Sequence, residues 1–111
     1  MRLTFTLALL LFGVTTTASA AEPCRQVHGR ADFYSGDGQM FVWHIGTHHL
    51  FWILDDPSQE MIFKYIPYEP NSENFKSLFA DFSICPTASY KPGEAQSATV
   101  QQIKHPRIVP H

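Results

Sequence analysis

Charge is scarce in this sequence and nowhere clustered. Asp, Glu, Lys and Arg together make up 16% of its 111 residues, and the formal net charge is -2. Arg25, Arg30, Lys64, Lys76, Lys91, Lys104 and Arg107 are spread along the chain without a basic run. Tight binding to a nucleic-acid backbone or an anionic membrane surface relies on grouped Lys and Arg, so the sequence reads against both partners. Cysteine is almost as rare. The two present, Cys24 and Cys85, form no Cys-x-x-Cys pair, which removes the usual redox motif. His-Glu-x-x-His and Gly-x-Ser-x-Gly are also missing, so neither a zinc-protease helix nor a hydrolase nucleophile elbow is present. No Asn-x-Ser/Thr acceptor occurs, which fits a bacterial origin.

Long apolar runs are absent except at the start. There the residues fall in the order of a secretory signal peptide: cationic Arg2, an apolar core from Leu3 to Val14, and small Ala18-Ser19-Ala20 before Ala21. The core is shorter than the roughly 20 residues of a membrane-spanning helix, and Thr15, Thr16 and Thr17 close it. Cleavage after Ala20 is expected, with export to a periplasm or beyond. A lipid-modified Cys24 is disfavoured, because Glu22 and Pro23 stand where small residues are needed.

Without residues 1–20, about 90 residues remain, enough for one compact domain. That domain is expected over 21–104, followed by a tail over 105–111 that only docking would order. Its net charge is about −3 once Arg2 is gone. In an oxidising compartment the two cysteines are most simply one disulfide, Cys24 to Cys85. Closing a loop of about 60 residues is worth roughly 4 kcal/mol in the chain-entropy description.

Apolar alternation marks a first strand over Arg25–Tyr34, with Val27, Ala31 and Phe33 on one parity. Gly29 within it suggests a bulge or sharp bend. Ser35-Gly36-Asp37-Gly38 supplies a tight turn. Second and third strands, Gln39–Ile45 and His48–Leu54, are apolar on both parities, so they are either sandwiched or present rings to a ligand. Asp56 and Pro57 start a helix with Met61, Ile62, Tyr65 and Ile66 on one stripe. Pro67 to Asn71 reads as loop. Ser72, Phe75, Leu78, Phe79 and Phe82 have the spacing of a second capped helix. A short fourth strand, Phe82–Thr87, and a fifth, Ser97–Lys104, complete the chain.

The expected class is mainly β with one or two short helices, in the order β-β-β-α-β-β. This arrangement resembles the five-stranded oligonucleotide/oligosaccharide-binding barrel, the OB-fold, in which the first and fourth strands are neighbours. The motifs Gly29-Arg30, Tyr34-Ser35-Gly36, Trp43-His44-Ile45-Gly46-Thr47-His48-His49 and Asp81-Phe82-Ser83-Ile84-Cys85-Pro86 resemble a group of small exported bacterial proteins of unassigned function. The stretch from Asp55 to Asn71 is longer than that group's pattern, and the resemblance implies no activity.

Two constellations are candidates for chemistry. His44, His48 and His49 would share a Zn²⁺ or Cu²⁺ if their rings met on one face, with His28 or Asp37 as further ligands. The blander assignment, amphipathic histidines beside aromatic residues, carries more weight. Tyr34, Phe41, Trp43, Phe51 and Trp52 crowd the first three strands. Most are needed for the core of so small a domain, and one or two remain for a ligand surface, with Trp43 favoured and Tyr34, Phe51 and Trp52 as its companions. Asp55 and Asp56 are poor catalytic carboxylates, since Asp56 is needed to cap a helix and neighbours on a strand point apart. The sequence therefore favours a non-enzymatic binding or adaptor module for an envelope saccharide or a protein. A periplasmic metal-binding protein comes second and a small secreted hydrolase third.

Overall fold

The computed structural model describes residues 22–34, 37–67 and 76–110. The leader over 1–20, the turn residues Ser35 and Gly36, and the proposed helix residues Ser72 and Phe75 lie outside the described residues. Five strands and one helix follow in chain order: β1 (Arg25–Tyr34), β2 (Gln39–His44), β3 (Leu50–Ile53), α1 (Asp56–Phe63), β4 (Lys76–Pro86) and β5 (Gln96–Pro110). The strands close into a barrel with neighbour order β1-β2-β3-β5-β4. Four of the five ladders are antiparallel. The exception joins β3 to β5 in parallel, through Phe51–Gln96, Trp52–Ser97 and Ile53–Ala98.

Period-two alternation builds the interior. Val27 and Ala31 from β1, Met40 and Val42 from β2, Phe51 and Ile53 from β3 all point inward and are buried. Leu78, Ala80, Phe82 and Ile84 from β4 and Ala98 and Val100 from β5 complete that wall. The helix closes one part of it. Ile62 is buried, and the Phe63 ring meets Phe33 edge-on at 4.9 Å. Ser58, also buried, accepts a hydrogen bond from the Val100 amide at 2.8 Å, so α1 covers the edge that β5 leaves free beyond its short pairing with β3.

Several sequence expectations are corrected. The capping residue is Asp55, not Asp56: its carboxylate accepts from the Ser58 amide at 3.0 Å and Pro57 sits in the first turn. The second helix is not formed by the described part of its segment. Leu78 and Phe82 are four apart, which places them on one helix face but equally on one strand face, and Ala80 and Ile84 extend the strand pattern. β4 is therefore eleven residues long rather than a short strand from Phe82. The proposed tail is strand as well, since Arg107 to Pro110 pair with Phe79 to Lys76. The irregularities fall between β4 and β5, at Phe79/Asp81 and Ser83/Ile84, and His105 has a positive φ of 55° beside the first.

Gly29 is not a bulge. It holds regular register with His44 on one side and Ala80 on the other. Its missing side chain is needed for close approach: a Cβ there would lie 2.8 Å from Val42 Cγ1 and 3.0 Å from the Trp43 carbonyl oxygen. Cys24 and Cys85 are joined by a disulfide that ties the start of β1 to the end of β4, two adjacent strands.

Candidate functional site

Because the inward parity is filled by aliphatic residues and Phe, the opposite parity carries most of the polar and aromatic side chains on the outside of the barrel. Register aligns them in rows across strands. One row runs from Trp52 through Phe41 to Asp32. Trp52 and Phe41 lie nearly parallel, 19° apart with centroids separated by 6.2 Å, and Tyr34 meets Phe41 at 6.0 Å. Tyr34 is 51% exposed, so the cluster opens to solvent at its β1 end.

The next row runs Leu50, Trp43, Arg30, Phe79, Arg107 over all five strands. The Arg30 guanidinium lies over Trp43 at 5.2 Å and that of Arg107 over Phe79 at 5.1 Å. Arg30 Nε also donates to Asp32 at 2.7 Å, while Ser77 Oγ donates to the other oxygen of that carboxylate. Asp32 is thus a buried acid with its charge matched. Trp43, the favoured ligand residue, is half-covered and anchored, because its indole N–H donates to the Thr47 carbonyl at 2.7 Å. Phe51 is wholly buried and belongs to the core, not to a surface.

The histidines separate into two groups. His49 is sandwiched between Phe51 and Tyr90, with ring centroids at 4.3 and 4.2 Å. Its Nδ1 accepts from Arg25 at 3.3 Å, which leaves Nε2 to donate to Gln96 Oε1 at 2.7 Å. The Gln96 amide in turn donates to the Ala88 carbonyl at 2.7 Å and to Glu22 at 3.1 Å. No lone pair of His49 remains for a metal. His48 is exposed in the turn after Gly46, which has φ 86°, and His44 is half-buried at the end of β2. Burial, then the charge of Arg25 and the neighbouring His49 and His28, lowers the pKa of His44. Among the described residues, no three His, Cys, Asp or Glu side chains are grouped to hold a metal ion. The structure thus does not bring His44, His48 and His49 together as a metal-holding group, with or without Asp37 and His28.

The second group was not read from the sequence as a site. His28 and His105 both donate through Nδ1 to the carboxylate of Asp81, each at 2.9 Å and each to its own oxygen. These two hydrogen bonds hold the Asp81 carboxyl below its ordinary pKa. Lys104 pairs with Asp81 in register, so this outer row joins β1, β4 and β5. Its signal was weak in the sequence, since His105 follows an expected strand end and precedes Pro106.

Comparison with known proteins found no matching family model, no matching curated protein and no matching solved structure. The resemblance to small exported bacterial proteins thus finds no counterpart, and the OB-fold label is dropped with it. The barrel is characterised by its own strand order alone. What stands is a small, disulfide-stabilised, mostly β domain with one helix among the described residues. No helix among those residues is long and apolar enough to cross a membrane.

Proposed function

We propose that this is an exported, non-catalytic binding module that takes a saccharide on the outer face of β1, β2 and β3. The cluster of Tyr34, Phe41 and Trp52 carries the reading: Phe41 and Trp52 lie nearly parallel, Tyr34 meets Phe41 edge-on, and the Tyr34 ring is exposed. Clustered aromatic rings suit the apolar face of a sugar ring, and a rigid sheet holds them in place at little entropic cost. Export is supported by the leader-like start and by a disulfide, which persists in oxidising compartments.

Titration of the mature protein with glycan oligosaccharides, followed by tryptophan fluorescence, tests the module. Trp52→Ala and Tyr34→Ala should each weaken binding at least tenfold while leaving the thermal midpoint within a few degrees. Unchanged affinity in both variants, or no saccharide bound by the wild type, would overturn the reading.

A further inference from the structure

Tertiary structure collects cations that the sequence scatters. Arg30 on β1 and Arg107 on β5 occupy one outer row, on either side of Phe79. Lys104 occupies the next row, with His28 and His105 around Asp81. The acids on this face are already engaged: Asp32 by Arg30 and Ser77, Asp81 by the two histidines. Lys104 and Arg107 are exposed, as are His28 at 65% and His105 at 80% of their side chains. Arg30 and Asp32 offset each other, so in a chain with more acids than bases the exposed cations that this face presents are Lys104 and Arg107.

We propose that the outer face of β1, β4 and β5 binds the carboxylates of an acidic polysaccharide, with Lys104 and Arg107 as its cationic contacts. This inference deepens the saccharide reading and rests on it. The row beside Trp52 and Phe41 runs from β2 into this face, since Trp43 is the register partner of Arg30. One chain laid across the barrel would therefore meet rings first and cations next. The Arg107 guanidinium already lies against the Phe79 ring, which limits its freedom before any ligand arrives.

Charge spacing favours a polyuronate over a nucleic acid. Lys104 and Arg107 stand three positions apart on β5, about 10 Å at ordinary strand rise. Duplex DNA presents a charge about every 1.7 Å, and a surface with so few cations on an acidic protein matches it poorly. A polymer with one carboxylate per sugar presents its charges far more sparsely.

The test is calorimetric titration of the mature protein with polygalacturonate, neutral dextran and single-stranded DNA at low salt. Polygalacturonate should bind, dextran at least tenfold more weakly, and Arg107→Gln and Lys104→Gln should each reduce polygalacturonate affinity about fivefold or more. Both variants change exposed side chains, and a thermal melt confirms that they fold. Equal binding of dextran and polygalacturonate, unaffected by either variant, would overturn the acidic-ligand inference while leaving the saccharide module intact. Failure to bind either polysaccharide would remove both, and tighter binding of the DNA would overturn the choice of ligand.

Discussion

The two histidine groups on this barrel follow opposite rules. His44, His48 and His49 are close in sequence and end in different surroundings, one half-buried, one exposed and one locked between two rings. His28 and His105 sit 53 and 24 residues from Asp81, yet both bond to its carboxylate. Both patterns come from strand geometry. Neighbours along a strand or turn diverge because successive side chains face opposite ways, whereas residues paired across β1, β4 and β5 converge on one outer row. The His49 network is also tied to structure: Arg25 follows the disulfide residue Cys24, and Gln96 is buried. The Asp81 group lies in the open and carries little of the fold.

Breaking the disulfide should give the largest effect and strike the His49 side of this contrast. Cys24 and Cys85 are 61 positions apart, so their loss, as in the double variant Cys24→Ser/Cys85→Ser, should cost about 4 kcal/mol of unfolding free energy through the freed chain. Urea denaturation measures it. A shift of less than about 1 kcal/mol would mean that the ladder between β1 and β4 holds that side without the bridge.

Next in size is the histidine comparison itself. His49→Ala removes a ring packed between Phe51 and Tyr90 and leaves the buried Gln96 carbonyl oxygen without its donor. A loss of about 2–3 kcal/mol follows from the combined packing and hydrogen-bond terms. His105→Ala removes an exposed contact and should cost less than about 1 kcal/mol. Equal losses in the two variants, measured by the same denaturation, would erase the distinction between a structural and a surface histidine.

Much of the order of strands and helix is legible in the sequence, and the failures have physical causes. Val27 and Ala31 share the parity that alternation marks in β1 and are buried, whereas β2 and β3, apolar on both parities, do not reveal in sequence that Met40, Val42, Phe51 and Ile53 form the inward set. Leu78 and Phe82 misled because a spacing of four satisfies both a helix face and a strand face, and intervening Ala80 is a weak strand signal. The residues from His105 onward misled because Pro106 and Pro110 suggest an end, yet proline is tolerated along a strand whose one side lacks a neighbour. The site was less legible than the fold. Tyr34 and Trp52 could be named from aromatic density, but which ring faced outward depended on register, and this buried Phe51 and anchored Trp43. Arg30 and Arg107 were dismissed as scattered because a sequence does not show that two strands apart can mean one row.

The smallest effect, and the sharpest separation of the two regions, lies in acid stability. His44 has its pKa lowered from 6.5 by burial first and by Arg25, His49 and His28 after it. The unfolded chain takes up that proton more readily than the folded one. Stability from this source is therefore complete above the unfolded value and declines as pH falls from about 6.5 through the folded pKa. Asp81 is also lowered, by the hydrogen bonds from His28 and His105, so its contribution is present above 3.8 and disappears as pH falls through its folded pKa. The two regions thus lose stability in separate windows, His44 near neutrality and Asp81 under strongly acidic conditions. Denaturation midpoints taken from pH 8 to pH 2 should show both declines in the wild type. His44→Gln should flatten the upper one alone and Asp81→Asn the lower one alone. If either substitution flattened both, the β2 end and the β4–β5 patch would have to be coupled through His28, whose backbone carbonyl accepts from Ile45 while its ring holds Asp81.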